Sequence, residues 1–328
     1  VTPAGELLAQ EIRQSGPISF QRFMEVALYH PECGYYRRGR DPFGKRGDYY
    51  TAEQLQPVFG SLIAARIRTF YQESGSPGGF TVVELGSGRG EMAAAFSEWR
   101  YVPVEIGGEL SEQFCGVVFS NEFFDALPVD VAIYTRGEFR ERLVTWRDGR
   151  FAWATDGQAS PLLVDYLRRY FPPPEEGRCY EVSLPALEWM ERISRHLQDG
   201  WVFTIDYGYT LADAARFAGG TLMSYRRHLA QEDVLSEPGE RDLTAHVNFT
   251  ALADHGTAFG LRMVRLETLA QTLIAAGEAE FAKVLASPDA AEESRRRLQL
   301  KTLLFGMGET FRVLWQRKEE GRFGGKSL

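Results

Sequence analysis

Thr81-Val82-Val83-Glu84-Leu85-Gly86-Ser87-Gly88-Arg89-Gly90 is the stretch that decides the fold. An apolar run meets an acid, and three glycines follow at alternate positions. The pattern predicts a buried strand turning sharply into a helix, expected from Glu91 to about Trp99. Glycine permits turn dihedrals closed to other residues and lets a ligand lie against bare backbone. The spacing then selects the ligand. The dinucleotide fingerprint G-x-G-x-x-G requires glycine at position 91, where this chain has Glu91. Glu84 would also repel a pyrophosphate lodged on the helix N-terminus. E-x-G-x-G-x-G suits a ligand with an amino group and a ribose but no phosphate, and S-adenosylmethionine is that ligand. Many α/β turns carry glycines for steric reasons alone. The flanking acid and the spacing set this one apart, with Glu84, Gly86, Ser87, Gly88 and Gly90 as the expected cofactor contacts.

Tyr101-Val102-Pro103-Val104-Glu105 reads as the next strand. Glu105 lies about twenty residues past the first acid, the usual place for a carboxylate that grips a ribose diol. The alternative is a surface glutamate on a hairpin. Upstream, residues 4–14 and 19–29 have helical periodicity, with Ser19 as an N-cap. The stretch from His30 to Thr51 is dense in Gly, Pro, Tyr and Arg and reads as a functional loop. A helix is expected over 57–72. Downstream, strands are expected at 116–120, 201–206, 261–266 and 310–316. A meander covers 129–135, 138–146 and 150–154 and turns at Asp148-Gly149. Helices are expected at 160–170, at 184–197 with a stop at Gly200, at 249–259 with Asn248 as cap, and over most of 268–304. Residues 207–247 read as mostly irregular. Strand and helix alternate, so the expected class is α/β with a mainly parallel sheet. Ligand then sits at the carboxyl ends of the strands, where Gly86, Asn121 and Asp206 cluster.

Composition narrows the function. Apolar residues make up 44% of the 328 and aromatics 13%, as in a well-buried globular chain. The net charge of −8 argues against broad nucleic-acid binding and would tolerate, or favour, a basic protein substrate. Cys33, Cys115 and Cys179 are odd in number and lack C-x-x-C spacing, so neither a disulfide framework nor a metal site is expected, and a reducing compartment is. No apolar run nears about eighteen residues, so no membrane insertion is expected. The first residues read as neither a signal peptide nor a transit peptide.

Several further segments resemble one family. They are Gly16-Pro17-Ile18-Ser19-Phe20, Gly34-Tyr35-Tyr36, Gly39-Arg40-Asp41-Pro42-Phe43-Gly44, Gly47-Asp48-Tyr49 and Glu84-Leu85-Gly86-Ser87-Gly88-Arg89-Gly90. Beyond these come Asn121-Glu122-Phe123-Phe124-Asp125-Ala126-Leu127-Pro128, Ile205-Asp206-Tyr207-Gly208-Tyr209, Asp242-Leu243-Thr244-Ala245-His246-Val247 and Gly306-Met307-Gly308-Glu309. In this order they are similar to the MidA-like methyltransferases, which include a mitochondrial complex I assembly factor that methylates arginine in a complex I subunit. The resemblance implies a Rossmann-like class I methyltransferase core over 77–328, its last strand antiparallel, with insertions at about 129–178 and 207–247. A helical N-terminal extension over 1–76 would form part of the site. It further implies Thr51 and Asn121 on the cofactor, Tyr36, Asp48 and Asp206 on the substrate, and a protein substrate such as a respiratory-complex subunit. The location implied is bacterial cytoplasm, or mitochondrial matrix after processing. Two departures stand out. The family has Pro-Glu where this chain has Glu53-Gln54, which puts a carboxylate role there in doubt. The family also has room for a helix and a strand between Glu105 and Gly116, where about ten residues remain and a parallel crossover needs about a dozen or more. Either a strand-helix unit is missing beyond Glu105, or residues 100–106 are the later strand and the ribose acid is gone.

Arginine is a difficult acceptor because its guanidinium is charged at any ordinary pH. A site for it wants carboxylates that grip the fork and orient one nitrogen. Glu122 and Asp125 suit that role, against the plainer readings of a solvated Glu122 and of Asp125 capping a short helix. His246 is the histidine expected to pair with a carboxylate or take the proton. The tyrosines Tyr35, Tyr36, Tyr49 and Tyr50, with Phe43, line a substrate groove or form the loop's own small core. Competing functions are a small-molecule O- or N-methyltransferase, a cofactor-binding assembly factor with little turnover, and, last, a nicotinamide-dependent oxidoreductase.

Overall fold

The computed structural model describes residues 1–37, 51–110 and 112–319. The chain divides into two compact units. One is Val1–Tyr50, Phe124–Ala186 and Tyr209–Thr250; the other is Thr51–Phe123, Leu187–Gly208 and Ala251–Leu328.

The second unit carries the sheet expected from the glycine-rich stretch. Its strands run in the order Arg262–Thr268, Phe311–Lys318, Leu197–Tyr209, Phe114–Asn121, Thr81–Leu85, Arg100–Val104. The last four are mutually parallel, and Phe311–Lys318 is antiparallel to both its neighbours. The fold is thus α/β and mainly parallel, with its final strand reversed. Every residue of Thr81–Leu85 is buried, as befits a parallel strand covered on both faces. Glu84, Phe119, Phe203 and Trp315 stand opposite one another across four adjacent strands. Phe203 lies 5.5 Å from Phe119 and 3.7 Å from Trp315, centroid to centroid. Residues in register share a face of the sheet, so a carboxyl ends a row of buried aromatic rings.

The crossover question resolves in favour of a missing unit. Arg100–Val104 pairs with one side of Thr81–Leu85 and Phe114–Asn121 with the other. Among the described residues of the crossing, 105–110 and 112–113, none is helical. Buried Leu110 anchors this short connection, and the Arg192 side chain donates to Gly108 O at 2.6 Å.

Two local expectations need correction. Residues 91–98 form successive turns rather than a regular helix. Three-residue closures (Ala93 N to Gly90 O, Trp99 N to Phe96 O) interrupt the four-residue one, Phe96 N to Met92 O. Gly200 does not stop a helix. Leu184–His196 ends earlier, and the strand Leu197–Tyr209 starts at once. Gly200 is instead a packing residue. A Cβ there would sit 1.9 Å from Gly116 O, and one on Gly116 would sit 1.9 Å from Thr81 O. The three residues are in register on neighbouring strands, so each glycine admits the carbonyl beside it. Residues 207–247, read as mostly irregular, contain a small antiparallel sheet of Leu229–Gln231, Met223–Arg226 and Asp242–Thr244. Its hairpin turns through Arg227 and His228, both at positive φ, where the usual signal is Asn-Gly.

The first unit holds the meander. Asp130–Thr135, Glu138–Arg147 and Arg150–Gln158 pair antiparallel, joined on their flanks by Ile18–Ser19 and Cys179–Val182. Helix Phe20–Tyr29 is capped by Ser19, whose hydroxyl accepts from Arg22 N at 3.0 Å. Its buried residues Phe20, Phe23, Met24 and Ala27 recur at helical spacing and pack with Leu8 and Ile12 of helix Pro3–Ser15. No helix among the described residues is long and apolar enough to cross a membrane.

Candidate active site

The glycine-rich loop leaves the strand Thr81–Leu85 with φ of 71° at Gly86, 52° at Gly88 and 74° at Gly90. All three lie in the left-handed region that favours glycine. Gly86 N donates to Val104 O at 2.8 Å, which ties the loop to the edge strand, and Gly90 N closes it onto Ser87 O at 2.7 Å. A Cβ on Gly86 would meet Phe123 at 2.9 Å, whereas one on Gly90 would meet nothing within 4 Å. The loop therefore has one packed side and one bare side.

Glu105 directly follows the edge strand and reaches back to this loop. Its Oε1 accepts from the Ser87 hydroxyl at 2.7 Å and from Gly88 N at 2.9 Å. Among the described residues its Oε2 takes no donor. The hairpin alternative is thereby removed, because Arg100–Val104 is a parallel strand and not half of a hairpin.

Glu84 is 0% exposed. Its Oε2 accepts from the Tyr101 hydroxyl at 2.5 Å, and its Oε1 is buried without a hydrogen-bond partner. Burial pushes its pKa up to about 7 against the opposing Tyr101 bond, with the charge of Glu105 adding to the rise. Beside it is Glu53, the carboxylate that the sequence put in doubt. Glu53, one position before the place the family pattern suggests, is 7% exposed and within hydrogen-bonding reach of Glu84. Burial raises its pKa well above the usual carboxylate range, and Glu84, Glu122 and Glu91 raise it further. Its Oε1 is likewise buried without a partner. The sequence signal for Glu53 was its place beside the position where the family has glutamate, just after the Gly47-Asp48-Tyr49 segment.

Asn121 ends the neighbouring strand and Glu122 follows it directly. Asn121 lies two residues beyond Phe119, which pairs with Glu84, so Asn121 shares the face of Glu84. Its side-chain nitrogen donates to Glu122 Oε1 at 3.1 Å, and its Oδ1 is buried without a partner. Glu122 has φ of 51°, an uncommon conformation for a residue with a side chain and one found at functional sites. Its amide donates to Ile205 O at 3.0 Å, and its Oε1 also accepts from Ala52 N at 3.3 Å. Thr51 is buried at the start of the same turn. Asp206 is fully buried within its strand, not at the end of it, and its Oδ1 accepts from Tyr207 N at 2.9 Å.

The remaining candidates lie in the first unit. Asp125 is buried in a turn and caps no helix; its carbonyl accepts from Ala245 N at 2.9 Å. His246 packs edge-on against Phe217, and its amide donates to the Thr221 hydroxyl at 3.0 Å. Thr221 is in turn held by the buried Glu181 carboxyl through its amide at 3.0 Å and its hydroxyl at 3.1 Å. Burial lowers the His246 pKa, which favours the neutral imidazole. The Tyr36 hydroxyl donates to Asp242 Oδ1 at 2.7 Å, and its ring stacks on Tyr29. Tyr35 is core. Asp48, with Phe43, Tyr49 and Tyr50, lies outside the described residues.

The second unit thus joins a bare glycine loop, a carboxylate oxygen open for a diol and buried acceptor oxygens that lack donors. Buried polar atoms are ordinarily satisfied. A ligand with a cationic amino group and a ribose supplies the missing donors, and S-adenosylmethionine has both.

Comparisons with known proteins agree with this fit. A family model described as "Putative S-adenosyl-L-methionine-dependent methyltransferase" matches residues 98–266. A Burkholderia thailandensis protein crystallised with S-adenosylhomocysteine superposes with a TM-score of 0.85 at 29% identity, over 96% of this chain and 91% of that one. The Drosophila melanogaster "Protein arginine methyltransferase NDUFAF7 homolog, mitochondrial" is 27% identical, over 74% of this chain and 67% of its own length. The Homo sapiens "Protein arginine methyltransferase NDUFAF7, mitochondrial" is also 27% identical, over 77% and 68%.

Proposed function

We propose that this chain, which belongs to the S-adenosyl-L-methionine-dependent methyltransferase family, transfers the methyl group to arginine on a protein. The observation that carries the reading is Glu122, a carboxylate held in a strained conformation at a strand end beside the cofactor loop. The relatives named arginine methyltransferases support it. A respiratory-complex subunit is the substrate that the family resemblance offers.

S-adenosylmethionine supplies an activated methyl group on its sulfonium; what remains for the protein is binding, alignment and one proton. Gly86, Ser87, Gly88 and Gly90 bear the methionine and ribose portion, with Thr51 and Asn121 beside them. Glu84 serves the amino end and Glu105 the ribose diol. Glu122 grips the guanidinium and orients one nitrogen for in-line attack. Asp125 and His246 are the candidates for orienting the acceptor and removing its proton, and neutral His246 is in the form that accepts one. Tyr36, Asp48 and Asp206 are proposed for the acceptor's surroundings. The case for a binder without turnover rested on Gln54 and the shortened connection. It loses ground because Glu53 provides a carboxyl and Glu105 reaches the loop.

The test is to incubate the protein with radiolabelled S-adenosylmethionine and a cell lysate, then hydrolyse the labelled protein. Methylarginine is the expected product. Label confined to an extractable small molecule would replace this reading with a small-molecule acceptor. Glu122→Gln should cut turnover by orders of magnitude and leave S-adenosylhomocysteine affinity within a few-fold.

A further inference from the structure

We propose that Glu53 is a cofactor-binding residue that, paired with Glu84, receives the amino group of the methionine portion. The inference rests on the reading that the glycine-rich loop holds S-adenosylmethionine.

The argument begins with an imbalance. Glu53 and Glu84 are both buried, each with one buried oxygen that lacks a hydrogen-bond partner. Asn121, on the same sheet face as Glu84, adds a third buried oxygen without one. Carboxylate and amide oxygens only accept hydrogen bonds. The charges that act most strongly on Glu53 are those of Glu84, Glu122 and Glu91, all negative. Those that act on Glu84 are Glu105 and Glu91, and its hydroxyl partner is Tyr101. Arg89 lies next to the loop glycines but pairs with Glu91, its Nε 2.7 Å from Oε1. An isolated carboxyl pair out of water is costly unless a cation or a shared proton satisfies it. Without ligand, a shared proton does so. An ammonium group brings one positive charge and three donors to the unpartnered oxygens of Glu53, Glu84 and Asn121. The loop that begins two residues after Glu84 brings the amino end of the cofactor to this place.

A purely structural role predicts something different. Replacing one member of a buried like-charged pair with a neutral amide should relieve the fold, so Glu53→Gln should melt at the same temperature as the parent or higher. A binding role predicts a loss that depends on the methionine portion.

The experiment is calorimetric titration of wild type and Glu53→Gln with S-adenosylhomocysteine and with 5′-methylthioadenosine, which lacks the amino acid. Each titration is run in two buffers of different ionisation enthalpy. For S-adenosylhomocysteine we expect at least a tenfold loss of affinity in the variant, and for 5′-methylthioadenosine none. Wild type should release protons on binding the first ligand and not the second, as the ammonium displaces the shared proton. That proton count decides the matter independently of how well the variant folds. Equal loss for both ligands, unchanged S-adenosylhomocysteine affinity, or equal proton release for both ligands would each overturn the proposal. A wild type that binds neither ligand would overturn the cofactor site itself.

Discussion

Replacing Glu105 with alanine isolates the ribose acid. The side chain has two tasks, and the geometry separates them. Oε1 ties down the loop through Ser87 and Gly88, while Oε2 has no donor among the described residues and is open for a ribose hydroxyl. The loop ties hold the loop in both the free and the bound protein, so their loss acts on stability more than on affinity. A hydrogen bond from the diol to the charged carboxylate is worth about 1.5–3 kcal/mol. Glu105→Ala should therefore weaken S-adenosylhomocysteine binding roughly 10- to 150-fold, at about 1.4 kcal/mol per factor of ten. Glu105→Gln keeps an oxygen for the loop but loses the charge, and should fall between alanine and wild type. Calorimetry with S-adenosylhomocysteine and its 2′-deoxy analogue distinguishes the tasks. Wild type should discriminate against the deoxy ligand, and the alanine variant should not. An alanine variant within twofold of wild type, or one that still discriminates, would refute the ribose assignment.

Gly88→Val should abolish cofactor binding, since a branched side chain resists φ of 52° and intrudes on the loop's ligand side; measurable S-adenosylhomocysteine affinity would count against that geometry. The unliganded protein should lose stability as pH rises. The folded state holds the Glu84 proton to about pH 7 and the unfolded chain only to about 4.5, so the contribution is complete below the lower value and lost through the upper. The effect is at most about 3.5 kcal/mol, at about 1.4 kcal/mol per pKa unit. Denaturant melts at pH 5 and pH 8 should show a steeper loss in wild type than in Glu84→Gln, and equal slopes would refute it. Thr221→Val keeps the side-chain shape but removes the hydroxyl bonds to Glu181 and His246 N, and should cost about 1–3 kcal/mol by chemical denaturation; an unchanged midpoint would mean that this buried link carries no stability.

Features written in local chemistry were legible in the sequence. Thr81–Leu85 and its glycine turn follow from an apolar run and glycine spacing, and the Asp148-Gly149 hairpin follows from residues that tolerate left-handed dihedrals. The capped helices and the α/β class follow from periodicity and caps. The glycine-rich loop was legible for the same reason, since it lies on one strand and its turn. Other features rest on pairing between distant segments, which no local pattern specifies. Which side of Thr81–Leu85 receives Phe114–Asn121 set the fate of Glu105, and only the strand register revealed it. Gly200 reads as a helix stop until Gly116 is placed against it. Glu53 reads as a misplaced acid until the turn around it buries its carboxyl against Glu84. A carboxyl's protonation and partners depend on what surrounds it in space, and that was decided only when the chain folded.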